Sequence, residues 1–259
     1  FMVAEWMGDD CFGGGGPVDG AWRYIDNFQL YNPDFFNRLF ENDWIGILRV
    51  NLIISRFDQA EYIDTIERNQ ALGEAYFLRA YFYSRLSQFF GPVPLKLEPA
   101  PANLPRATAE VMYGQIASDL IKARSLMLPT AFQEISLSRL GHVNRWVVEA
   151  LMARVYLFYT GYYNQTEFVL PGGGTFTKAD AISWITDCID NSGYDLLPDF
   201  RQNWVYAASR PEVYPYASKI KEFKVVNNDT IRWAGIEGEN YETMFAIKYS
   251  IHGNFNTTA

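Results

Sequence analysis

The chain has 259 residues, is 49% hydrophobic and 17% aromatic, and carries a formal net charge of −8 with a sequence pI near 4.9. That length gives one large domain or two small ones with an ample core, and the acidic balance argues against a nucleic-acid binder, whose phosphate contacts need basic patches. No polybasic run offers attachment to an anionic membrane surface, and no window approaches the roughly 20 apolar residues of a spanning helix.

In chain order, the first informative segment is Gly8-Asp9-Asp10-Cys11-Phe12-Gly13-Gly14-Gly15-Gly16-Pro17. Consecutive glycines permit close backbone approach and cannot sit inside a stable helix. No Gly-Lys-Ser/Thr follows, so this is not a phosphate loop, and no strand–glycine–helix unit makes it a dinucleotide fingerprint. Asp9, Asp10 and Asp19 could offer oxygens to calcium, but the EF-hand spacing is absent. The plain reading is a surface loop with no metal.

From Asp34 to about Ile66, spaced apolar residues such as Phe35, Leu39, Ile47, Leu48 and Leu52 predict one or two amphipathic helices. Ala71 to Leu95 reads as an aromatic-rich helix stopped by Gly91, with Pro92 and Pro94 holding the next residues extended. Lys96 to Arg106 is a proline-rich connector. Thr108 caps a helix that finishes before Pro129, and Asn144 caps one that finishes near Gly161. Thr177-x-x-Asp180 resembles a capping box and opens a helix to about Ser192-Gly193. Gly172-Gly-Gly174 reads as a surface loop, and Met244 to Ile251 as a strand or extended arm.

The motif Glu74-Ala75-x-x-x-Arg79-x-Tyr81 returns as Glu149-Ala150-x-x-x-Arg154-x-Tyr156, 75 residues later. Two tetratricopeptide units of about 34 residues each, plus loop residues, span such a distance. Both arginines have aromatic or apolar neighbours at helical spacing. Since an arginine is seldom buried unless paired, Arg79 and Arg154 are expected to be structural, partly buried and ion-paired. The expected architecture is mostly α, a tetratricopeptide-like helical-repeat scaffold. One domain would cover residues 1–259, with a glycine-rich loop region at 1–33, the helical core at 34–193 and a loop and extended segment at 194–259.

Phe77-Leu-Arg-Ala-Tyr-Phe-Tyr83, Phe90-Gly-Pro-Val-Pro-Leu95 and Glu149-Ala-Leu-Met-Ala-Arg-Val-Tyr-Leu-Phe-Tyr159 resemble the SusD/RagB-like family of surface nutrient-binding lipoproteins from Bacteroidetes-type bacteria. Lys178-Ala-Asp-Ala-Ile182 leading to Tyr194-Asp-Leu-Leu197, and Glu242-Thr-Met-Phe-Ala-Ile-Lys-Tyr249, continue the similarity in the same order. The resemblance implies a non-catalytic protein without cofactor that binds glycans at the cell surface. It would pass them to a SusC-like TonB-dependent transporter in the outer membrane. It also implies an N-terminal lipid anchor outside this chain, and a longer protein of which this is an internal portion. A peptide-capturing RagB-like protein and a polysaccharide-degrading helical-repeat enzyme are the alternatives.

In the family the segment matching Gly8–Pro17 lies near the ligand face. The starch-binding founding member resembles this chain in its acidic pair and cysteine, but tryptophans follow that cysteine where Phe12 and the glycines stand here. Trp6, Trp22 and Tyr24 are the expected sugar-stacking rings, with Asp9, Asp10, Arg23 and Asn27 as hydrogen-bonding partners. The alternative for each ring is ordinary core packing. Tyr156, Tyr159, Tyr162 and Tyr163 offer a second platform, although helical packing explains at least the first two.

Catalytic candidates are few: two histidines, His142 and His252, two cysteines, Cys11 and Cys188, and no Gly-x-Ser-x-Gly elbow. No Cys-x-x-Cys or His-x-x-x-His pair suggests zinc. A glycosidase pair needs only two carboxylates at a suitable separation, which sequence cannot show. A Cys11–Cys188 disulfide is possible in an exported protein.

Overall fold

Side-chain caps foreseen in the sequence delimit most helices of the computed structural model, which describes residues 24–29, 34–100, 103–199, 202, 222–224, 230–232 and 240–246. The helices are α1 (Asp34–Ser55), α2 (Thr65–Phe90), α3 (Ala109–Leu126), α4 (Arg145–Tyr162) and α5 (Lys178–Asn191). Thr108 accepts from the Val111 amide, Asn144 accepts from both Trp146 and Val147, and Thr177 with Asp180 closes a reciprocal capping box. Each cap satisfies amides that the first helical turn leaves without partners. Two hydrogen bonds from Thr177 hold the Asp180 carboxyl below the usual carboxylate range.

The second helix begins at Thr65, six residues before the expected Ala71. Asp64 accepts from the Glu67 amide at 2.7 Å, and Glu67 reaches back to the Ile63 amide at 3.0 Å. That polar bracket extends the helix beyond its aromatic run. Gly91 ends it at φ +71°, a conformation glycine adopts without strain. The chain then folds back on itself: Pro94 pairs with Arg106, and the Arg106 guanidinium donates to the Phe90 and Pro92 carbonyls at 2.7 Å each. The connector is therefore extended as expected, but it is a closed excursion anchored at both ends.

Each helix packs on the next, α1 on α2, α2 on α3, α3 on α4 and α4 on α5, giving a mostly α, tetratricopeptide-like scaffold. The core runs along these contacts, with Phe77, Ala80, Tyr83 and Leu86 of α2 against Met112, Tyr113, Ile116 and Leu120 of α3 and Val148, Met152 and Val155 of α4. The glycine triplet at 172–174 is the turn of a small antiparallel hairpin, β1 (Phe168–Val169) with β2 (Thr175–Phe176). Phe168 and Phe176 fill the space beside Tyr156 and Tyr159. Gly114 on α3 lets the Val169 carbonyl approach where a Cβ would collide with it. Farther on, β3 (Glu222–Lys224) pairs with β4 (Thr230–Arg232). Of the expected strand at 244–251, residues 244–246 are irregular, and the remainder lies outside the described residues.

A buried ion pair joins the first three helices. Arg79 Nε and Nη2 donate to the two Asp119 carboxylate oxygens at 2.7 Å each. Arg79 Nη1 donates to Asn51 Oδ1 at 3.1 Å, and the guanidinium carbon lies 5.3 Å from the Tyr76 ring centre. Gln115 adds a bond to Asp119, while Asn51 and Tyr83 both donate to the Lys96 carbonyl, tying in the connector. Burial disfavours the guanidinium charge, yet Asp119 more than offsets it, so the Arg79 pKa is raised.

The second arginine departs from the expectation. Arg154 is exposed and makes no ion pair with any described residue. Residues five apart on a helix differ by roughly 140° in direction, so a Glu and an Arg at that spacing cannot both face the core. On α2 the arginine points inward; on α4 the glutamate does. Glu149 is fully buried and receives Arg124 Nε at 2.5 Å and Arg145 Nε at 3.2 Å. The same two arginines each donate to Asp187 Oδ2 of α5 at 2.7 Å, and Arg124 lies over the Trp184 ring at 4.7 Å. This second clasp joins α3, α4 and α5.

Replacing Arg79 by Ala strands Asp119 without its counter-charge and should cost about 3–5 kcal/mol in urea denaturation. Arg154→Ala should change stability by less than about 0.5 kcal/mol. Equal losses for the two variants would refute the asymmetry.

Asp43 of α1 provides a pH test. Its carboxylate is buried 3.5 Å from Arg85 of α2, and Oδ2 lacks a hydrogen-bond partner. Burial, only partly opposed by Arg85, pushes its pKa up to about 6 from an ordinary 3.8. The folded chain therefore keeps a proton that the unfolded chain releases in that window, and stability falls as pH rises from 3.8 to about 6. Asp43→Asn should stabilise the fold at pH 7.5 by ~1 kcal/mol, with the gain shrinking as pH drops toward 4. Paired urea melts at both pH values check this; a pH-independent difference would contradict it.

Candidate functional site

The expected ligand residues fall in the N-terminal loop region, and the structure describes only part of it. Tyr24 and Asn27 lie within the described residues, whereas Trp6, Asp9, Asp10, Trp22 and Arg23 lie outside them. Residues 24–26 form a helical turn closed by Gln29 N donating to the Tyr24 carbonyl at 2.7 Å and Phe28 N to the Ile25 carbonyl at 3.1 Å. Ile25 is buried and anchors the turn, while Tyr24, Asn27 and Phe28 reach solvent.

Tyr24 and Asn27 are three residues apart, which places them on the same side of a helical turn. The turn thus presents a ring and an amide together, the pair of groups that can pack on a sugar's C–H face and bond its hydroxyls. Phe28, 72% exposed and at φ +53°, adds an apolar surface that the sequence reading missed. The available signal was its setting between Asn27 and Gln29, where an apolar ring has polar neighbours on both sides.

The tyrosines at the end of α4 divide. Tyr156 and Tyr159 are buried, Tyr156 donating to the Thr166 carbonyl at 2.6 Å and Tyr159 stacking on Tyr113 at 4.8 Å. Tyr162 is exposed and stacks on Phe158 at 5.4 Å. The first two are packing residues, as helical spacing suggested, and Tyr162 alone of these three is exposed to solvent.

Acids among the described helices serve the scaffold: the buried Asp119 holds Arg79, and the buried Glu149 with the half-buried Asp187 holds Arg124 and Arg145. His142 Nδ1 sits 3.2 Å from both Glu74 oxygens. Among the described residues, no group of three His, Cys, Asp or Glu side chains could hold a metal ion. Cys188 has a free thiol buried under α4, its Sγ 3.9 Å from the Trp146 carbonyl, and burial pushes its pKa up. Cys11 lies outside the described residues. No helix of the described residues is long and apolar enough to cross a membrane.

The described elements define a helical-repeat scaffold, clasped by ion-paired arginines, with an exposed aromatic turn ahead of its first long helix. A family of SusD-like proteins, described as starch-binding and associating with the outer membrane, matches residues 18–157. The chain belongs to this SusD-like family.

Solved structures agree in fold. Surface glycan-binding protein A from Bacteroides fluxus superposes with a TM-score of 0.64 at 24% identity, over 79% of this chain and 41% of that one. The protein of the same name from Bacteroides uniformis gives 0.63 at 21% identity, over 77% and 42%. A laminarin-binding SusD-like protein gives 0.59 at 21% identity, over 78% and 44%. The chain thus spans about two fifths of the length of these structures. No curated protein gives a significant sequence match.

Proposed function

We propose that this chain is part of a non-catalytic glycan-binding protein of the bacterial cell surface. It captures an oligosaccharide and delivers it to a SusC-like TonB-dependent transporter in the outer membrane, to which an N-terminal lipid anchor would hold it. The observation that carries this reading is the SusD-like match, which includes the exposed Tyr24–Asn27 turn within its limits of 18–157. The buried carboxylates of the described residues are engaged by arginines, a use that suits scaffolding and leaves recognition to the loops.

In this reading Trp6, Trp22 and Tyr24 stack on pyranose rings, while Asp9, Asp10, Arg23 and Asn27 bond hydroxyls. The helical scaffold supplies rigidity, so little ordering entropy opposes binding. Selectivity then comes from loop residues, and Phe12 with the four glycines that follow argues for a ligand other than starch.

Isothermal titration calorimetry of the soluble protein against plant and host oligosaccharides, with peptides as a parallel arm, tests the proposal. Saturable heat with one glycan class is expected, weakened about tenfold by Trp22→Ala or Tyr24→Ala and unchanged by Arg154→Ala. Silence with every sugar and a response to peptides would overturn the glycan reading. Reducing-end release from a bound glycan would overturn the non-catalytic one.

A further inference from the structure

A cavity of about 300 Å³ lies away from the aromatic turn, between the start of α2, the chain after α3 and the 134–144 loop. Its apolar lining comes from Ile66 at the start of α2, Leu126 at the end of α3, Leu128 just after it, and Ile135 and Val143 in the loop. No Phe, Tyr or Trp lines it, which sets it apart from a sugar platform. The polar lining divides by whether its groups are already engaged. Gln70 donates to Glu74 and to the Val143 carbonyl, Asn144 caps α4 and donates to Tyr194, and the Thr130 carbonyl accepts from Trp146 Nε1.

Arg139 is charged and shows no such side-chain bond among the described residues. The residue lines the cavity and also the smaller recess beside it, is half-buried, and has no acidic partner within 4.0 Å among the described residues. The 3₁₀ turn Leu137–Arg139 fixes its backbone: Arg139 N donates to the Ser136 carbonyl and His142 N to the Arg139 carbonyl. The contrast with Arg79, Arg124 and Arg145 is direct, since each of those is locked to a carboxylate. Beside it, His142 turns Nδ1 to Glu74, which leaves Nε2 as the ring's other polar atom. Glu134 also lines the cavity, but it is exposed, so water and salt screen its charge.

The geometry points to a second ligand site here, for an aliphatic chain ending in a single carboxylate. The aliphatic lining would take the chain, and Arg139 would take the carboxylate in the two-donor fashion guanidinium groups favour. The volume suits a ligand at the small end of the range for such pockets. Two sources share this chemistry, a free fatty acid and the C-terminal aliphatic residue of a peptide. The site is independent of the glycan reading, because it shares no residue with the aromatic turn.

Octanoate, N-acetylleucine and the neutral octanamide serve as calorimetric probes of the soluble protein. Saturable binding of octanoate or N-acetylleucine is expected, with octanamide at least about tenfold weaker. Arg139→Gln should weaken the acids by the same factor and leave octanamide unchanged. Leu128→Glu should abolish all three, while both variants keep the parent's circular dichroism and urea midpoint. Preference for octanoate would identify the free acid as the source, and preference for N-acetylleucine the peptide terminus. No saturable binding, or acids that bind as well to Arg139→Gln as to the parent, would overturn the site. Glycan titration of the same variants should be unaffected, which separates this outcome from the proposed function.

Discussion

The Arg79–Asp119 pair is the interaction on which the helical packing is arranged. A guanidinium and a carboxylate cannot both leave water unless each finds a partner at close range. Here both Asp119 oxygens are taken by Arg79, and the remaining Arg79 nitrogen reaches Asn51. Because the three residues come from α2, α3 and α1, satisfying the charge fixes how those helices meet. Tyr83 and Asn51, both bonded to the Lys96 carbonyl, extend the constraint to the connector. Apolar contacts around this centre contribute more of the burial energy, but they tolerate sliding; a two-donor ion pair does not.

A second clasp repeats the logic farther along. Arg124 and Arg145 converge on Glu149 and Asp187, tying α3 to α4 and α5. Helix α3 supplies one member to each clasp, Asp119 to the first and Arg124 to the second, so it is the rail that both halves share. Polarity is inverted between them: the first buries an arginine from the recurring motif, the second a glutamate. Glu149 Oε2 remains without a hydrogen-bond partner, so the second clasp is less completely satisfied than the first.

This pairing of charge belongs to the scaffold. Asp119, Glu149 and Asp187 inside the helical stack are each held by arginines. The SusD-like relatives share the fold at identities of 21% to 24%. A stack whose register depends on a few buried polar contacts can keep its shape while most other positions change.

The sequence by itself determined the class, the helix boundaries set by Thr108, Asn144, Thr177 and Gly91, and the burial of Arg79. All of these rest on local chemistry: a cap acts within its own first turn, and aromatic neighbours at helical spacing mark a buried face. The reading of Tyr156 and Tyr159 as packing residues agrees with the structure. Only the tertiary structure decided that Arg154 faces water while Glu149 faces the core. The motif carries both residues at a spacing that lets one turn inward, and the choice depends on Arg124 of α3, which meets Glu149 beside Arg145 one turn earlier on α4 itself. The same holds for Asp119 as the partner of Arg79, forty residues away, and for the cavity at Arg139. Partners separated so far along the chain leave no periodic signal; they meet because helices pack, and packing is settled by the whole core.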